Sequence, residues 1–506
     1  MYPEFGLYPV RRCIHNRDCF IPAAGNRNAD NGSLNNVGSN GYYWSATPNG
    51  ANGYNLNFNS TNVNPSNNNN RANGFSVRCV QAFIRIFLPR LVLPDMGKNN
   101  LLADLFHAYY DARKHKRNTI NQLRFEMDME HNLYDLYRQI QERSYEPKAS
   151  IAFIVFKPVQ REVFAADFSD RVVHHLFFNY VNPIFERTYI EDCYSCRKEK
   201  GTHYAVGRVD HHIRSCSNNY TRPCFILKLD LQGYFMSINR SILYDKVKRT
   251  LEKYATRCDT DGIRWEDKLE YELILYLAKA IIFNDPARNF RIKGRKADWE
   301  GLPPNKSLFY SKEGCGLPIG NLTSQLFSNV YMSDFDVYVK RELKFEHYGR
   351  YVDDFYLIDP DRDRLKAVIP KIASYLKDEL GITLHPKKIY LQSHDKGVLF
   401  TGGFVKPHRI YVGNRIKSNM TKGLDTLKKE KELDLNMLRS SVNSYLGIMK
   451  HYKSFYIRRK IMIRHAWVFK YGYVRNCCSV FKLNKPHGIL QSLNIECGEE
   501  NRSVVL

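Results

Sequence analysis

Residues 350–358 read RYVDDFYLI, two short apolar stretches that meet at a pair of acids. Aromatic and β-branched residues on either side of a short polar step predict a β-hairpin with Asp353 and Asp354 at its tip. Two adjacent carboxylates among apolar side chains repel each other, and they are costly to bury unless a cation neutralises them. The same pattern also fits a solvated hairpin turn, so this stretch indicates a site only if a partner exists elsewhere in the chain.

A third acid ends a second predicted strand. In CFILKLDLQGYF (224–235) the apolar run reaches Asp230 and then turns at Gly233. One acid at a strand end and two at a hairpin tip can share a pair of Mg²⁺ ions, which prefer hard oxygen ligands and retain water in their shell. We therefore expect Asp230, Asp353 and Asp354 to form a site for two Mg²⁺ ions.

The bulk composition indicates the class of partner. The chain has 506 residues, a net charge of +24, and many of its 34 Tyr and 29 Phe interleaved with basic residues. This balance favours a polyanionic partner, most simply nucleic acid, although a merely soluble basic protein has a similar composition.

No apolar run reaches the roughly 18 residues that a membrane span needs, and no signal peptide opens the chain. Twelve cysteines without a secretion signal indicate reduced thiols in a cytoplasm. Cys193-x-x-Cys196 could begin a zinc site, but a single CxxC is weak evidence and unpaired structural cysteines are favoured.

Helical and strand patterns are mixed after an N-terminal leader, residues 1–95. Apolar spacing predicts two helices over 101–146 and further helices over 169–185, 239–257, 266–284 and 362–380. Residues 316–343 are typical of a glycine loop that enters a long buried helix, and two or three basic helices are predicted over 416–472. Strands are predicted within 151–157, 224–235, 350–358, 388–392, 397–405 and 409–412. Because helices and short antiparallel strands do not alternate strictly, we expect an α+β fold.

Seven motifs follow one another along this pattern: KPVQR (157–161), SCRKEKGT (195–202), LDLQGYF (229–235), LPIGNLTSQ (317–325), YVDD (351–354), LGITLHPKK (380–388) and FTGGF (400–404). Their order resembles the successive motifs of reverse transcriptases over about residues 99–475. The resemblance implies an RNA-directed DNA polymerase with a right-hand fold. Its parts would be fingers and palm over 99–404, a helical thumb over 405–475 and a C-terminal tail over 476–506.

Residues 319–325 narrow the resemblance. Most reverse transcriptases carry Gln before the glycine and Pro after the serine, whereas this chain has Ile319 and Gln325. The sequence IGNLTSQ is similar to that of the reverse transcriptases of diversity-generating retroelements, which copy a template repeat RNA with frequent errors at adenines and so diversify a target gene. Gln can hydrogen-bond near the nascent base pair, whereas Ile offers only apolar surface and leaves that polar check unmade. The alternatives are another bacterial reverse transcriptase, of retron or defence type, and a non-catalytic RNA-binding relic.

Matching motif to motif implies a role for each site residue. Asp230 and Asp353 would be the main Mg²⁺ ligands, assisted by the backbone carbonyl of Leu231 and by Asp354. The residues implied to bind the incoming nucleotide are Lys157 and Arg161 of the fingers, the aromatic gate Phe235 against the sugar, the loop residues Ile319, Gly320 and Gln325, and Lys388, with Lys387 as its alternative. The residues that resemble the primer grip are Phe400, Gly402, Gly403 and Phe404.

The resemblance also implies the partners. They are a template repeat RNA, a DNA primer or cDNA, deoxynucleoside triphosphates and a small basic accessory variability protein, with no membrane. The basic helices over 416–472 resemble a thumb that follows the duplex through phosphate and sugar contacts, independent of sequence. A solvated amphipathic surface is the alternative interpretation of those helices.

The leader differs from everything after it. Residues 21–80 contain 18 Asn, and residues 41–80 resemble the C-terminal end of the variable, lectin-like proteins that these retroelements diversify. Asn codons are AAC and AAU, so an Asn-rich reading frame is also an adenine-rich template. We therefore interpret the leader as a translated template repeat, which we expect to be largely irregular, and Met96 as a natural initiator. A lectin-like fragment packed on the enzyme is the alternative.

Overall fold

The computed structural model divides the chain into two compact units, residues 1–96 and 97–506. In the first unit the described residues are 7–9, 20–22, 26–28, 33–36, 39–49 and 52–70. In the second unit they are 101–114, 119–156, 159–257, 264–265 and 270–484. Lys157, Met96 and residues 485–506 of the predicted tail therefore lie outside the described residues.

The first unit contains antiparallel strands. They are β1 (Leu7–Pro9), β2 (Phe20–Pro22), β3 (Asn26–Arg27), β4 (Leu34–Asn35), β5 (Gly41–Asn49), β6 (Asn52–Phe58) and β7 (Val63–Asn70). β1 pairs with β2, β3 pairs with β4, and β5, β6 and β7 form a three-stranded sheet. The prediction of a largely irregular leader is therefore wrong over residues 41–70.

Aromatic packing explains this sheet. Tyr43 and Phe58 are buried, and their rings stack with centroids 6.2 Å apart. Phe58 lies opposite Gly41, where a Cβ atom would collide with the ring, so glycine leaves the space that the ring fills. Asn is a poor strand former on average, but strand stability depends more on cross-strand packing than on intrinsic preference. The packing of Phe58 on Tyr43 and above Gly41 thus stabilises the sheet despite its Asn-rich composition.

Helices make up much of the second unit. They are α1 (Leu101–Arg113), α2 (Ile120–Met127), α3 (Met129–Gln141), α4 (Phe168–Glu186), α5 (Thr202–Cys216), α6 (Tyr234–Ser237), α7 (Arg240–Ala255), α8 (Tyr271–Ile282), α9 (Leu322–Val337), α10 (Arg362–Leu380), α11 (Asn414–Lys428), α12 (Leu435–Met449) and α13 (Phe455–Arg464). A π-helical turn, Tyr338–Glu342, follows α9 directly. The predicted helix 362–380 is found with the same bounds, whereas 101–146 holds three helices rather than two. Among the described helices, none combines the length and the low polarity that crossing a membrane requires.

The strands of the second unit form small, mostly antiparallel sheets. They are β8 (Ser150–Val155), β9 (Arg161–Ala165), β10 (Phe225–Asp230), β11 (Phe290–Ile292), β12 (His347–Tyr351), β13 (Asp354–Asp359), β14 (Tyr390–Ser393), β15 (Val398–Phe400), β16 (Gly403–Lys406), β17 (Arg409–Val412), β18 (Gly472–Arg475) and β19 (Val480–Leu483). The central sheet has the order β12–β13–β10–β14, with every neighbour antiparallel. The other sheets are β11–β8–β9, with β11 parallel to β8, then β15–β16–β17 and the hairpin β18–β19. The predicted mixture of helices and antiparallel strands is confirmed.

The central sheet is covered on both faces, which explains why β10 and β13 are so apolar. Leu227 and Leu229 belong to a core shared with α4, α9 and α10. Ile226 and Tyr356 belong to a second core shared with α5, α12 and the β15–β17 sheet. Because side chains alternate along a strand, Asp230 lies on the same face as Ile226. The sheet therefore presents Asp230 at the end of a strand that is anchored from both sides.

Candidate active site

Three acids from two distant parts of the chain lie at one end of the central sheet. In the pairing of β10 with β13, Asp230 lies directly opposite Asp354. Asp353 is in the two-residue turn between β12 and β13, and its carbonyl oxygen accepts a hydrogen bond of 3.2 Å from the Leu231 amide. The strand pairing, rather than proximity in sequence, thus brings these groups together.

Burial and the charge of neighbouring carboxylates raise the pKa values of Asp353 and Asp354. The pKa of Asp353 is raised to about 6, first by burial and then by the charges of Asp354 and Asp230. Burial also raises the pKa of Asp354, whose Oδ1 atom is buried and accepts no hydrogen bond from the described residues. Lys228 Nζ lies 3.2 Å from Asp354 Oδ2, and Lys388 Nζ lies 2.8 Å from Asp230 Oδ1. Three acids against two lysines favour an additional bound cation.

The donor set suits Mg²⁺ by its chemistry. Carboxylate oxygens are hard ligands, and Asp354 Oδ1 is a buried acceptor whose lone pairs no hydrogen bond from the described residues uses. In the part of the chain that the structure describes, no three His, Cys, Asp or Glu side chains are gathered closely enough to hold a metal ion as they stand. Binding would therefore require the three aspartates to turn toward a common point. Cys193 and Cys196 are free thiols, as expected for structural cysteines.

The structure distinguishes the two adjacent lysines. Lys388 is half exposed and forms the ion pair with Asp230. The side chain of Lys387 is exposed and forms no ion pair with any described residue, although its amide donates to His385 Nδ1 at 3.2 Å. Lys388 is thus the lysine that lies beside the acids.

Phe235 and Ile319 pack against the same small apolar cluster. Both are half-buried, and the cluster includes Phe164 and Leu308. Main-chain hydrogen bonds hold them there, because the Leu317 amide donates to the Phe235 carbonyl at 2.9 Å and the Phe164 amide donates to the Ile319 carbonyl at 3.0 Å. The predicted aromatic gate and the predicted fidelity position therefore share one apolar surface.

The loop that precedes α9 has a backbone conformation that favours glycine. Gly320 has a φ of 126°, and a Cβ atom there would lie 2.8 Å from Val163 Cγ1. The buried Asn321 accepts the Ala166 amide at 3.0 Å through its Oδ1 atom. Gln325 is exposed on the first turn of α9. The loop is thus attached to β9 on one side and begins α9 on the other.

Of the two basic residues predicted to bind the incoming nucleotide from the fingers, the structure describes Arg161. Arg161 is exposed at the first position of β9. In the same strand, the Phe164 amide donates to the Ile319 carbonyl. Arg161 forms no ion pair with the described residues, so its guanidinium is available to an anion. Lys157 lies outside the described residues.

The predicted primer grip borders the sheet face that carries Asp230. Phe400 is buried, and its ring meets the Tyr356 ring edge-on at 5.1 Å. Gly402 has a φ of 96°, and Gly403 packs against α5 so closely that a Cβ atom would lie 2.7 Å from a Val206 methyl group. Phe404 is half-buried opposite Tyr411 of β17. The hairpin is thereby fixed next to β13.

Three residues at the site, Lys228, Arg350 and Asp336, were not predicted from the sequence. Lys228 contacts Asp354 and lies 5.9 Å from the centre of the Phe400 ring. Its signal is the two-residue spacing from Asp230, which places both on one face of β10. Arg350 and Asp336 form a fully buried ion pair beneath the β12–β13 hairpin. The signal for Arg350 is an arginine next to a predicted strand-and-turn site, where a charge that becomes buried is retained only with a partner.

Comparisons with known proteins give distant similarities. A domain of unknown function (DUF8237) matches residues 15–80. Protein YkfC of Escherichia coli (strain K12) is 21% identical over 294 residues, which cover 52% of this chain and 66% of that protein. Two similar solved structures are telomerases. The one from Candida albicans, in complex with the TWJ fragment of telomeric RNA, has a TM-score of 0.40 and 13% identity, covering 65% of this chain and 56% of its own. Apo telomerase from Candida tropicalis has a TM-score of 0.40 and 12% identity, covering 64% and 58%. The chain thus spans just under two thirds of Protein YkfC and little more than half of the telomerase chains.

Proposed function

We propose that this chain is an RNA-directed DNA polymerase that adds deoxynucleotides by a two-magnesium mechanism. The observation that carries the proposal is the meeting of Asp230, Asp353 and Asp354 at one end of an antiparallel sheet. The local excess of acidic charge and the order of the seven motifs support it. In this proposal the β8–β9–β11 sheet belongs to the fingers, the central sheet is the palm, and α11 to α13 form the thumb.

Each residue of the site has a task in nucleotide addition. The three aspartates would hold Mg²⁺, with the carbonyl of Leu231 as a further ligand. Bound Mg²⁺ would favour deprotonation of the primer 3′-hydroxyl and screen the charge on the triphosphate. Lys388, which lies beside Asp230, would supply a cation to the leaving pyrophosphate as it gains charge.

The shared surface of Phe235 and Ile319 supports a role in selecting the nucleotide. An aromatic ring next to the sugar excludes a 2′-hydroxyl by size, and Ile319 makes no hydrogen bond to a base edge. Without a polar group that is left unpaired by a wrong base, a site discriminates weakly. We therefore propose that the enzyme copies a template repeat RNA with errors at adenines, as in diversity-generating retroelements.

A row of cations at the edge of the fingers sheet supports binding of the template strand. β11 is an edge strand, and Arg291, Lys293 and Lys296 are exposed without an ion-pair partner among the described residues. We call these three residues the cationic edge. Phe309 is 38% exposed and packs on Phe290 of β11, which adds an aromatic surface. Exposed cations beside aromatic rings suit a single-stranded nucleic acid.

The leader has a separate role in this proposal. We interpret residues 1–95 as the translated template repeat and Met96 as the residue at which translation of the polymerase naturally begins. The division of the chain into two units at residue 96 supports this separation. The sheet over 41–70 keeps the alternative of a folded lectin-like fragment that stabilises the enzyme, and truncation at Met96 distinguishes the two, because only this alternative predicts a loss of activity or stability.

Primer extension on an RNA template tests the proposed activity. Asp230→Asn and Asp353→Asn should each slow nucleotide addition by several orders of magnitude, because each removes a charged Mg²⁺ ligand. Asp363→Asn, an exposed acid on α10, is the matched control and should keep the wild-type rate. Near-normal extension by either site variant would rule out the two-metal assignment. Sequencing the cDNA tests the finer proposal, since an error spectrum without excess at adenines would favour a retron or defence enzyme.

A further inference from the structure

A buried ion pair lies directly beneath the turn that carries Asp353. Arg350 and Asp336 are both completely buried. Arg350 Nε donates to Asp336 Oδ1 at 2.8 Å and Arg350 Nη2 donates to Asp336 Oδ2 at 2.7 Å, so the contact is bidentate. The Tyr348 hydroxyl donates to the same carboxylate at 2.6 Å. The two bonds from Arg350 to Asp336 leave the guanidinium one fixed orientation.

The remaining end of the guanidinium reaches the turn. Arg350 Nη1 donates to the carbonyl oxygen of Val352 at 3.1 Å. Val352 has a φ of 57°, a left-handed conformation that is unfavourable for a β-branched residue and persists only where its surroundings impose it. The arginine therefore holds the one residue of the hairpin whose backbone is strained, and that residue is joined directly to Asp353.

The main chain of Arg350 is held as firmly as its side chain. Its amide donates to the Asp192 carbonyl at 2.9 Å, and its carbonyl accepts the Tyr194 amide at 3.0 Å. On the other side Arg350 pairs with Phe355 of β13. Residues 192–194 thus continue the sheet beyond β12. Arg350 can act as a fixed support for the turn because neither its backbone nor its guanidinium has room to move.

We propose that Arg350, oriented by Asp336, is a positioning residue that fixes the Val352–Asp353 turn and thereby sets Asp353 and Asp354 against Asp230. The proposal rests on the proposed function, since the positioned groups are its metal ligands. A purely stabilising role accounts for the pair less well, because the desolvation of two buried charges commonly cancels their attraction. Positioning explains why the pair is charged, because apolar side chains of the same size could not donate a hydrogen bond to the Val352 carbonyl.

Asp336 also connects the turn with the rest of the site. It lies in the last turn of α9, whose N-terminus follows the loop with Ile319 and Gly320. A helix of 16 residues spans about 24 Å. One rigid element therefore carries the nucleotide-selecting loop at one end and the support of the metal-binding turn at the other.

The test replaces the pair by apolar side chains. Made in a Tyr348→Phe background, Asp336→Leu/Arg350→Met leaves neither an unpaired charge nor an unpaired hydroxyl in the core, so the protein should unfold near the temperature of Tyr348→Phe. Without the donor to Val352, amide hydrogen exchange should become faster in peptides covering 350–356 and residue 231. The rate constant of single-nucleotide addition should fall about 100-fold, as for a displaced catalytic group, while KM for the nucleotide changes little. Tyr348→Phe, which removes a donor to the same carboxylate but leaves the turn untouched, is the control and should keep wild-type exchange and rate.

The outcomes separate positioning from stability and from the proposed function. A folded double variant with wild-type exchange and rate would overturn the proposal. If the double variant does not fold, Arg350→Lys serves instead, because lysine keeps the charge at Asp336 but cannot form the bidentate contact and reach Val352 as well. A folded lysine variant with unchanged exchange and rate would overturn the proposal equally. If the wild-type protein extends no primer, the proposed function fails, and the exchange comparison still decides whether Arg350 holds the turn.

Discussion

Removing the cationic edge should weaken RNA binding in a way that salt reveals. The change is Arg291→Gln, Lys293→Gln and Lys296→Gln in one protein. Two neighbouring arginines are left in place because acids already compensate them: Arg288 contacts Asp285 at 3.4 Å, and Arg295 contacts Asp298 at 3.6 Å. The three replaced side chains have no ion-pair partner among the described residues, so their charge is available to phosphates.

The size of the effect follows from counterion release. Each phosphate of a single strand that a cation neutralises contributes about 0.7 to the slope of log affinity against log salt. If all three cations contact phosphates, the variant should lose about 2 from that slope. Between 50 and 200 mM salt the wild type would then lose about 18-fold more affinity than the variant. At low salt the variant should bind RNA more weakly, and the two proteins should converge as salt rises.

Fluorescence anisotropy with a labelled single-stranded RNA measures both quantities. The matched control is Arg362→Gln, Lys371→Gln and Lys377→Gln, which removes the same one Arg and two Lys from the exposed side of α10. That control should keep the wild-type slope. Primer–template duplexes then locate the contact, since the loss should appear with a long single-stranded template overhang and disappear with a very short one. Equal slope changes in both triple variants would refute the reasoning, because net charge alone would then explain binding.

Three further predictions concern the selection surface and the leader. Phe235→Ala should raise ribonucleotide incorporation relative to deoxynucleotides in primer extension, and an unchanged ratio would make Phe235 a core residue only. Ile319→Gln should lower errors at template adenines more than at other bases, because Gln restores a polar check on the pair; an unaltered spectrum of sequenced cDNA would contradict this. A protein that begins at Met96 should keep the primer-extension rate and the unfolding temperature of residues 97–506. A large loss of either on truncation would show that the leader contributes to the enzyme.

Local signals account for the parts of the fold that sequence reasoning predicted. The helix over 362–380 has an Asp361 cap, whose side chain accepts the Asp363 and Arg364 amides, and ends at Gly381 with a φ of 62°. Both signals are contained in the helix and its flanking residues. The sheet over 41–70 was not predicted, because its stability depends on Phe58 filling the space above Gly41 across a strand pair. Composition carries no information about such individual contacts, so it wrongly predicted an irregular structure for this part of the leader.

The same distinction separates the predicted from the missed residues of the site. Asp230, Asp353 and Asp354 were predictable because acids at strand ends are unusual within their own short stretches. Arg350 and Asp336 become partners only when α9 packs beneath β12, and nothing in either stretch names the other. Yet the buried guanidinium of Arg350 donates to the carbonyl of Val352, the residue with the strained backbone, and so connects the turn to α9. Acids at a strand end show where chemistry can occur, whereas the arrangement of those acids depends on a charge pair buried by the whole fold. If positioning is as we propose, replacing Arg350 should slow nucleotide addition about 100-fold even in a chain that keeps every motif residue and its stability.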